Sequence, residues 1–182
     1  MTEAERAHFS KLIAARITQL EAYRAASTVL TYMNFGAEFA AEIFVRQALR
    51  EDKQVLLPKV NRDTKLLDVY RVTDLAQDVA PGLWDIPEPI IERCTKVDEL
   101  TSVDFILLPG VAFGRDGARL GYGGGFYDKL LAQLSRKPTL VAAAFTLQVV
   151  EDIPLEATDC KVQWLITEQE TIHCSGNNAA KK

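Results

Sequence analysis

The amino-acid sequence predicts a single three-layer α/β/α domain with a mainly parallel sheet. Two segments, "DFILLPG" and "TLVAAAF", are nearly continuous in apolar residues, which is typical of strands buried on both faces. Amphipathic helical patterns alternate with these strand-like segments, and that alternation favours a parallel sheet covered by helices. A chain of 182 residues, 48% of them hydrophobic, is long enough for one sizeable core.

The first half of the chain predicts helix, strand, helix and then a pair of strands. Thr2 and Glu5 have the form of a capping box, and apolar residues at helical spacing follow as far as Tyr23. "TVLTYM" reads as a strand, and a second helical pattern follows "NFGAE". "QVLLPKV" and "LLDVYRV" read as strands joined by the turn "NRDT", with Pro58 predicted to lie near a strand end.

The second half begins with a loop and returns to alternating strands and helices. Residues 79–93 hold three prolines and a glycine, which predicts an ordered loop. "DFILLPG", a helix from about Phe126 to Ser135, "TLVAAAF" and "KVQWLIT" then follow in order. We expect the domain to span residues 1–170 and the tail, residues 171–182, to be disordered because it has no periodicity.

Charge and composition exclude several classes of function. A net charge of −4 provides no broad basic surface, so nucleic acid is not an expected partner. Three cysteines without a C-x-x-C pair argue against a zinc site and a disulfide framework. No apolar run predicts a membrane span or a signal peptide. We expect a cytoplasmic protein without a membrane partner, either monomeric or a weak homodimer.

The glycines are concentrated in one place, which indicates a site. Seven of the ten lie between Gly110 and Gly125, and "GYGGG" leads directly into a predicted helix. "FGRDGARL" predicts a tight turn just before it. Bare backbone N–H groups at the start of a helix favour an anion. A glycine-rich connection between strand and helix is also compatible with tight packing alone.

The amino-acid sequence of this loop excludes two common nucleotide-binding motifs. No Lys-Ser or Lys-Thr follows the glycines, as a P-loop requires, and Phe126 stands where G-x-G-x-x-G needs its last glycine. Arg119, just before the glycines, can bind two phosphate oxygens. Asp128, just inside the helix, can bind Mg²⁺ or can simply favour the helix dipole.

The block "LLPGVAFGRDGARLGYGGGFYDKLL" resembles the signature of the 5-formyltetrahydrofolate cyclo-ligase family. Weaker similarities in "TYMNFGAEF", "LWDIPEP" and "DCKVQWLIT" extend the resemblance to about Glu168. The resemblance implies conversion of 5-formyltetrahydrofolate into 5,10-methenyltetrahydrofolate, dependent on ATP and Mg²⁺, with release of ADP and phosphate. In the mechanism implied for the family, the formyl oxygen is phosphorylated, N10 attacks the activated carbon and phosphate leaves as the ring closes.

The resemblance also implies which residues form the site. ATP contacts would be Arg119, Leu120, Gly121, Tyr122, Gly123, Gly124, Gly125, Phe126 and Tyr127, with Arg119 and Tyr127 as the catalytic groups. The folate would contact Met33, Glu38, Tyr122, Gly123, Gly124, Gly125 and Phe126. Trp84 is predicted as a stacking wall for the folate or, equally, as a core residue. Asp128 and Asp159 match the two Mg²⁺ positions.

The sequence departs from the family pattern at its start. Family members carry a basic segment before the first helix that reaches the ATP phosphates, whereas "MTEAER" matches the helix start itself. Two alternatives to the enzyme stay open. One is a non-catalytic folate-binding protein with a decayed ATP site. The other is an enzyme of similar fold that acts on another phosphorylated substrate.

Overall fold

The computed structural model describes residues 1–154 and 159–174, apart from the side chain of Trp84. The helices are α1 (Glu3–Gln19), α2 (Glu21–Ala25), α3 (Ala41–Arg50), α4 (Leu75–Asp78) and α5 (Phe126–Ala132). The strands are β1 (Thr28–Leu30), β2 (Gln54–Asn61), β3 (Leu66–Val72), β4 (Val79–Pro81), β5 (Pro87–Pro89), β6 (Thr95–Lys96), β7 (Phe105–Leu108), β8 (Ala112–Gly114), β9 (Arg119–Leu120), β10 (Thr139–Ala143), β11 (Val149–Val150), β12 (Trp164–Ile166) and β13 (Thr171–His173).

An eight-stranded sheet forms the middle of the molecule, in the order β13-β12-β10-β7-β1-β2-β3-β6. The five strands from β12 to β2 run parallel to one another. The pairs β12–β13, β2–β3 and β3–β6 are antiparallel. The predicted mainly parallel sheet is therefore confirmed. The apolar segments "FILL" and "TLVAA" form two adjacent central strands, β7 and β10.

The two faces of the sheet are covered by different helices, which makes three layers. On one face, α1 and α3 pack with Ile13, Ile17, Phe44 and Val45 into the larger of two hydrophobic clusters. On the other face, α5 contributes Leu130 and Leu131 to the second cluster. The predicted α/β/α arrangement is confirmed, and the capping box at Thr2 and Glu5 is also present at the start of α1.

Three details of the predicted elements are wrong. The stretch 79–93 contains a two-stranded hairpin, β4–β5, whose prolines are tolerated because each strand has one neighbour. Pro58 lies inside β2, beyond the residues of that strand that pair with β1. Residues 171–173 form β13 against β12, so the ordered chain continues past the predicted boundary at 170. Residues 175–182 of the predicted tail lie outside the described residues.

The length and hydrophobicity of each helix determine whether it could span a membrane. Among the described residues, no helix is both long enough and apolar enough to cross a bilayer.

Candidate active site

The chain connections create a crevice between the neighbouring strands β1 and β7. The crossover from β1 to β2 carries α3 on one face of the sheet, whereas the crossover from β7 to β10 carries α5 on the other. Ligands of open α/β sheets bind at such a reversal, outside the carboxyl ends of the strands. The loop after β1 holds residues 31–40, and the segment after β7 leads into the glycine-rich loop.

The glycine-rich loop, residues 121–125, follows a tight antiparallel turn. The strands β8 and β9 pair on either side of residues 115–118, as the sequence predicts. Gly123 and Gly125 have positive φ angles of 81° and 60°, a conformation that favours glycine over residues with a Cβ atom. Gly125 is also the N-cap of α5. The glycines are therefore needed for the path of the backbone from β9 into the helix.

Backbone donors are concentrated in this loop and the first turn of α5. None of the N–H groups from Gly121 to Asp128 donates a hydrogen bond to another described residue. The space beside Gly123 and Gly125 is open, with no atom within 4 Å of a Cβ built at either position. An accessible row of unpaired N–H groups can bind the oxygens of a phosphate chain.

Arg119 and Asp128 form an ion pair at the base of the loop. Arg119 Nη2 donates to Asp128 Oδ1 at 2.9 Å and to Oδ2 at 3.1 Å. Arg119 Nη1 donates to the carbonyl of Pro109, just after β7. Arg119 is only 8% exposed, so it is not a solvated surface cation. The predicted phosphate-binding cation and the predicted metal ligand therefore neutralise each other in the free protein.

Asp128 and Asp159 are the two residues that the sequence predicts as magnesium ligands. The backbone N–H of Cys160 donates to Asp128 Oδ1 at 3.4 Å, which brings the residue after Asp159 to the Asp128 carboxylate. The described residues contain no cluster of three or more potential metal ligands. Mg²⁺ is typically held by one or two carboxylates together with phosphate oxygens and water, so these two acids fit an ion that arrives with a nucleotide.

Glu38 faces the glycine-rich loop from the loop after β1. Its Oε1 accepts a hydrogen bond from the Tyr122 hydroxyl at 2.6 Å, and its Oε2 accepts one from the Phe35 N–H at 2.7 Å. The Tyr122 ring packs edge-on against the Phe35 ring. Two predicted folate contacts, 84 residues apart in sequence, are thus in direct contact. Tyr122 itself is 60% exposed.

Burial and hydrogen bonding shift the pKa values of Glu38 and of the tyrosines near it. Burial raises the pKa of Glu38, and the hydrogen bonds from Tyr122 and Phe35 partly oppose that rise. Burial and the Glu38 charge raise the pKa values of Tyr32 and Tyr127 as well. Tyr127 is therefore protonated at neutral pH, and its hydroxyl suits a hydrogen-bond donor better than a base.

The remaining predicted contacts lie beside these groups. Met33 is partly buried against the larger hydrophobic cluster. The Phe126 ring lies against Gly124, where an added Cβ would approach the ring to 2.6 Å. Trp84 lies in the turn of the β4–β5 hairpin, and its side chain is outside the described part of the structure.

The sequence did not predict three polar residues, Thr31, Tyr32 and Thr146, which lie at the same edge of the sheet, after the carboxyl ends of the strands. Thr31 directly follows β1 and Thr146 follows β10, and the buried hydroxyl of each has no partner among the described residues. Arg119 Nε is similarly unpaired, and burial together with the nearby Glu38 charge raises the pKa of Tyr32. Buried polar atoms without a protein partner are rare, and bound water or a ligand normally satisfies them. The feature of the sequence that could have identified Thr31 and Thr146 is their position shortly after a strand.

Comparisons with known proteins agree on one family. The model of the 5-formyltetrahydrofolate cyclo-ligase family matches residues 1–168. A 5-formyltetrahydrofolate cyclo-ligase from Haemophilus influenzae is 31% identical, over 75% of this chain and 73% of that protein. The mouse 5-formyltetrahydrofolate cyclo-ligase is 26% identical, over 92% of this chain and 86% of the mouse protein.

A solved structure shares the fold. The NMR structure of the 5,10-methenyltetrahydrofolate synthetase from Aquifex aeolicus has a TM-score of 0.82 and 30% sequence identity. The alignment covers 100% of this chain and 89% of the Aquifex chain.

Proposed function

Because the chain belongs to the 5-formyltetrahydrofolate cyclo-ligase family, we propose that it cyclises 5-formyltetrahydrofolate to 5,10-methenyltetrahydrofolate in an ATP- and Mg²⁺-dependent reaction. One observation carries the proposal. A single loop, residues 121–125, contacts Glu38 through Tyr122 and lies between Arg119 and Asp128 at its base. A folate at Glu38 and a triphosphate on the loop would therefore meet at one crevice.

Glu38 would recognise the pterin ring of the folate. The edge of a pterin offers adjacent N–H donors, and a carboxylate can accept from two donors at once. Those donors would replace the Tyr122 hydroxyl, which now binds Glu38 Oε1. Met33 and Tyr32 would form the apolar side of the same wall.

The loop and Arg119 would hold the ATP phosphates. Unpaired N–H groups from Gly121 onward would bind phosphate oxygens, and the guanidinium of Arg119 would stabilise charge on the transferred phosphoryl group. Asp128 and Asp159 would bind Mg²⁺, which supplies charge neutralisation when it is bound with the nucleotide. Arg119 must then share or leave its contact with Asp128.

The chemistry requires positioning rather than an enzyme nucleophile. The formyl oxygen would attack the γ-phosphorus and ADP would leave. N10 would then attack the activated formyl carbon, and phosphate would depart with the formyl oxygen as N10 loses its proton. Residues of this chain would align the two reactants and exclude water, which is the main contribution expected for a reaction between two bound substrates.

An absorbance assay tests the proposal. Purified protein with ATP, Mg²⁺ and 5-formyltetrahydrofolate is expected to produce the ultraviolet band of the methenyl product. Absence of product at high enzyme and ATP concentrations would contradict catalysis. Calorimetry then separates the non-catalytic alternative, because a folate-binding protein with a decayed ATP site would bind the folate but not Mg·ATP.

The cellular location and the oligomeric state of the protein stay predictions. A cytoplasmic protein that is monomeric or weakly dimeric fits a small-molecule reaction contained within one chain.

Replacing Tyr122 with phenylalanine is expected to shift the pH dependence of folate binding to higher pH. The Tyr122 hydroxyl donates to Glu38 and lowers the pKa of that carboxyl. Without this hydrogen bond the pKa of Glu38 rises further, so the carboxylate that binds the pterin is lost at a higher pH. Fluorescence or calorimetric titrations of 5-formyltetrahydrofolate across the acidic range measure the shift.

Tyr23→Phe provides a matched control, because the hydroxyl of the buried Tyr23 donates at 2.7 Å to Glu51, an exposed carboxylate at the end of α3. This variant is expected to leave the midpoint of folate binding in place. An equal shift in both variants, or none in Tyr122→Phe, would contradict the role given to Tyr122.

A further inference from the structure

The turn that carries Glu38 is closed by its own backbone. The Glu38 N–H donates to the Phe35 carbonyl at 3.3 Å, and Gly36, with a φ angle of 55°, lies between them. Phe35, Gly36 and Ala37 are exposed at the tip of the turn, whereas Glu38 is buried. The carboxylate proposed to bind the pterin therefore depends on a small turn at the surface.

Arg6, near the start of α1, binds this turn through its backbone carbonyls. Arg6 Nη1 donates to the Gly36 carbonyl at 3.0 Å and to the Glu38 carbonyl at 3.4 Å. The helix dipole gives no reason for a cation here, since the start of a helix favours acids, and α1 has Glu3 and Glu5 in its first turn. The turn accounts for Arg6, and Arg6 does not occupy the Glu38 carboxylate.

Ser10, one helical turn further along α1, holds the end of the same segment. It is fully buried, and its Oγ accepts a hydrogen bond from the Ala40 N–H at 3.1 Å. Residues four apart lie on one face of a helix, so Arg6 and Ser10 act on residues 36–40 together. Apart from the turn itself and the start of α3, no other described residue forms a hydrogen bond with the backbone of residues 36–40.

We infer that Arg6 is a positioning residue for folate binding, which holds the turn so that the Glu38 carboxylate meets the pterin. The inference rests on the proposed function, because it takes the pterin to lie at Glu38. In the free protein, Tyr122 also restrains Glu38 by donating to its carboxylate. The pterin would displace that hydroxyl, whereas the bonds from Arg6 to the backbone would persist. A turn that is already ordered reduces the entropy lost on binding.

Arg6 acts through the position of the turn and not through its charge. Tyr122 on the glycine-rich loop, Tyr32 after β1 and Tyr127 on α5 interact with the Glu38 carboxylate. Burial raises the pKa of Glu38, and the hydrogen bond from Tyr122 opposes that rise. The Arg6 guanidinium instead binds the backbone. Loss of Arg6 should therefore weaken folate binding without moving its pH midpoint.

The test measures steady-state kinetics and the pH profile of folate binding in Arg6→Met, which keeps the length of the side chain but removes its donors. The KM for 5-formyltetrahydrofolate is expected to rise about three- to tenfold, the effect of one or two lost hydrogen bonds. The values of kcat and of the KM for ATP should stay unchanged, because the loss is in the binding of the folate alone. Arg6→Lys should recover part of the affinity, since Nζ can donate to both carbonyls.

Arg16→Met is the matched control. Arg16 also lies on α1, and its Nη2 donates to the carbonyls of Glu168 and Gln169 at the β12–β13 turn, three strands from β1. Arg16→Met is expected to leave the KM for the folate unchanged. A general loosening of α1 would appear in both variants, so the comparison separates positioning of the turn from loss of structure.

A double-mutant cycle with Glu38→Gln tests whether Arg6 acts through Glu38. Arg6→Met is expected to change folate affinity little in that background, because the carboxylate that it positions is absent. Fully additive losses, equal losses in Arg6→Met and Arg16→Met, or a shifted pH midpoint would overturn the inference and leave the proposed function standing. A rise in the KM for ATP alone would assign Arg6 to the nucleotide and overturn it as well. Absence of product with the wild-type protein would overturn the proposed function and the inference with it.

Discussion

Asp128→Asn is expected to lower the rate of methenyltetrahydrofolate formation about 10²- to 10³-fold, the usual loss when one electrostatic group of a transition state is removed. Asparagine keeps the size of the side chain and one acceptor for Arg119. It removes the negative charge that would bind Mg²⁺ beside the phosphates. Folate binding at Glu38 should persist, because Asp128 lies at the opposite end of the loop.

Steady-state rates, a thermal melt and a folate titration together check this prediction. Asp116→Asn is the control, since Asp116 pairs with Lys161 at the β8–β9 turn, outside the loop. The control is expected to change the rate little. Full activity of Asp128→Asn would refute the metal role of Asp128, and a large loss in the control would show that any acid near the loop matters.

Glu38→Gln is expected to weaken folate binding about 10- to 100-fold at neutral pH, as expected for loss of hydrogen bonds to a charged acceptor. In the wild-type protein, affinity should fall as pH decreases through the pKa of Glu38, which burial raises from its ordinary value. Glutamine does not titrate, so the affinity of the variant should be flat across this range.

The same substitution is expected to raise thermal stability at neutral pH. A carboxyl whose pKa is raised by folding binds its proton more tightly in the folded state. Protonation therefore favours folding, and the ionised Glu38 lowers the free energy of unfolding above its folded-state pKa. Glutamine removes that buried charge and can still bond to Tyr122 and Phe35. Thermal melts at pH 7 measure the gain.

Glu42→Gln is the control for both measurements, because Glu42 is exposed on α3 and pairs with Arg46. It is expected to leave folate affinity and its pH dependence unchanged. A Glu38→Gln protein that binds folate normally would remove Glu38 from the pterin site.

Most of the fold could be predicted because local signals agreed with the final packing. The central strands β7 and β10 are continuous apolar runs with no polar face, which few other structures can accommodate. The β4–β5 hairpin could not be predicted in the same way. Its three prolines disfavour strands, and tertiary pairing of a short hairpin overrode that preference.

The site could be predicted only as a set of residues, because its contacts join distant parts of the chain. Resemblance to a family indicated Glu38, Tyr122, Arg119 and Asp128. It did not indicate that Tyr122 bonds to Glu38 or that Arg119 and Asp128 neutralise each other. Those pairings depend on how the loop folds back between β1 and α5. No local pattern of residues contains that information.

The short strand β13 has a consequence for how the protein behaves in solution. It covers the outer side of β12, whose Leu165 and Ile166 are fully buried. A chain cut at residue 170 would leave the backbone donors and acceptors of a parallel strand open to a second molecule. Such uncovered edges are templates for self-association. Shortened versions of this protein should therefore retain residues through Cys174 if they are to stay dispersed at high concentration.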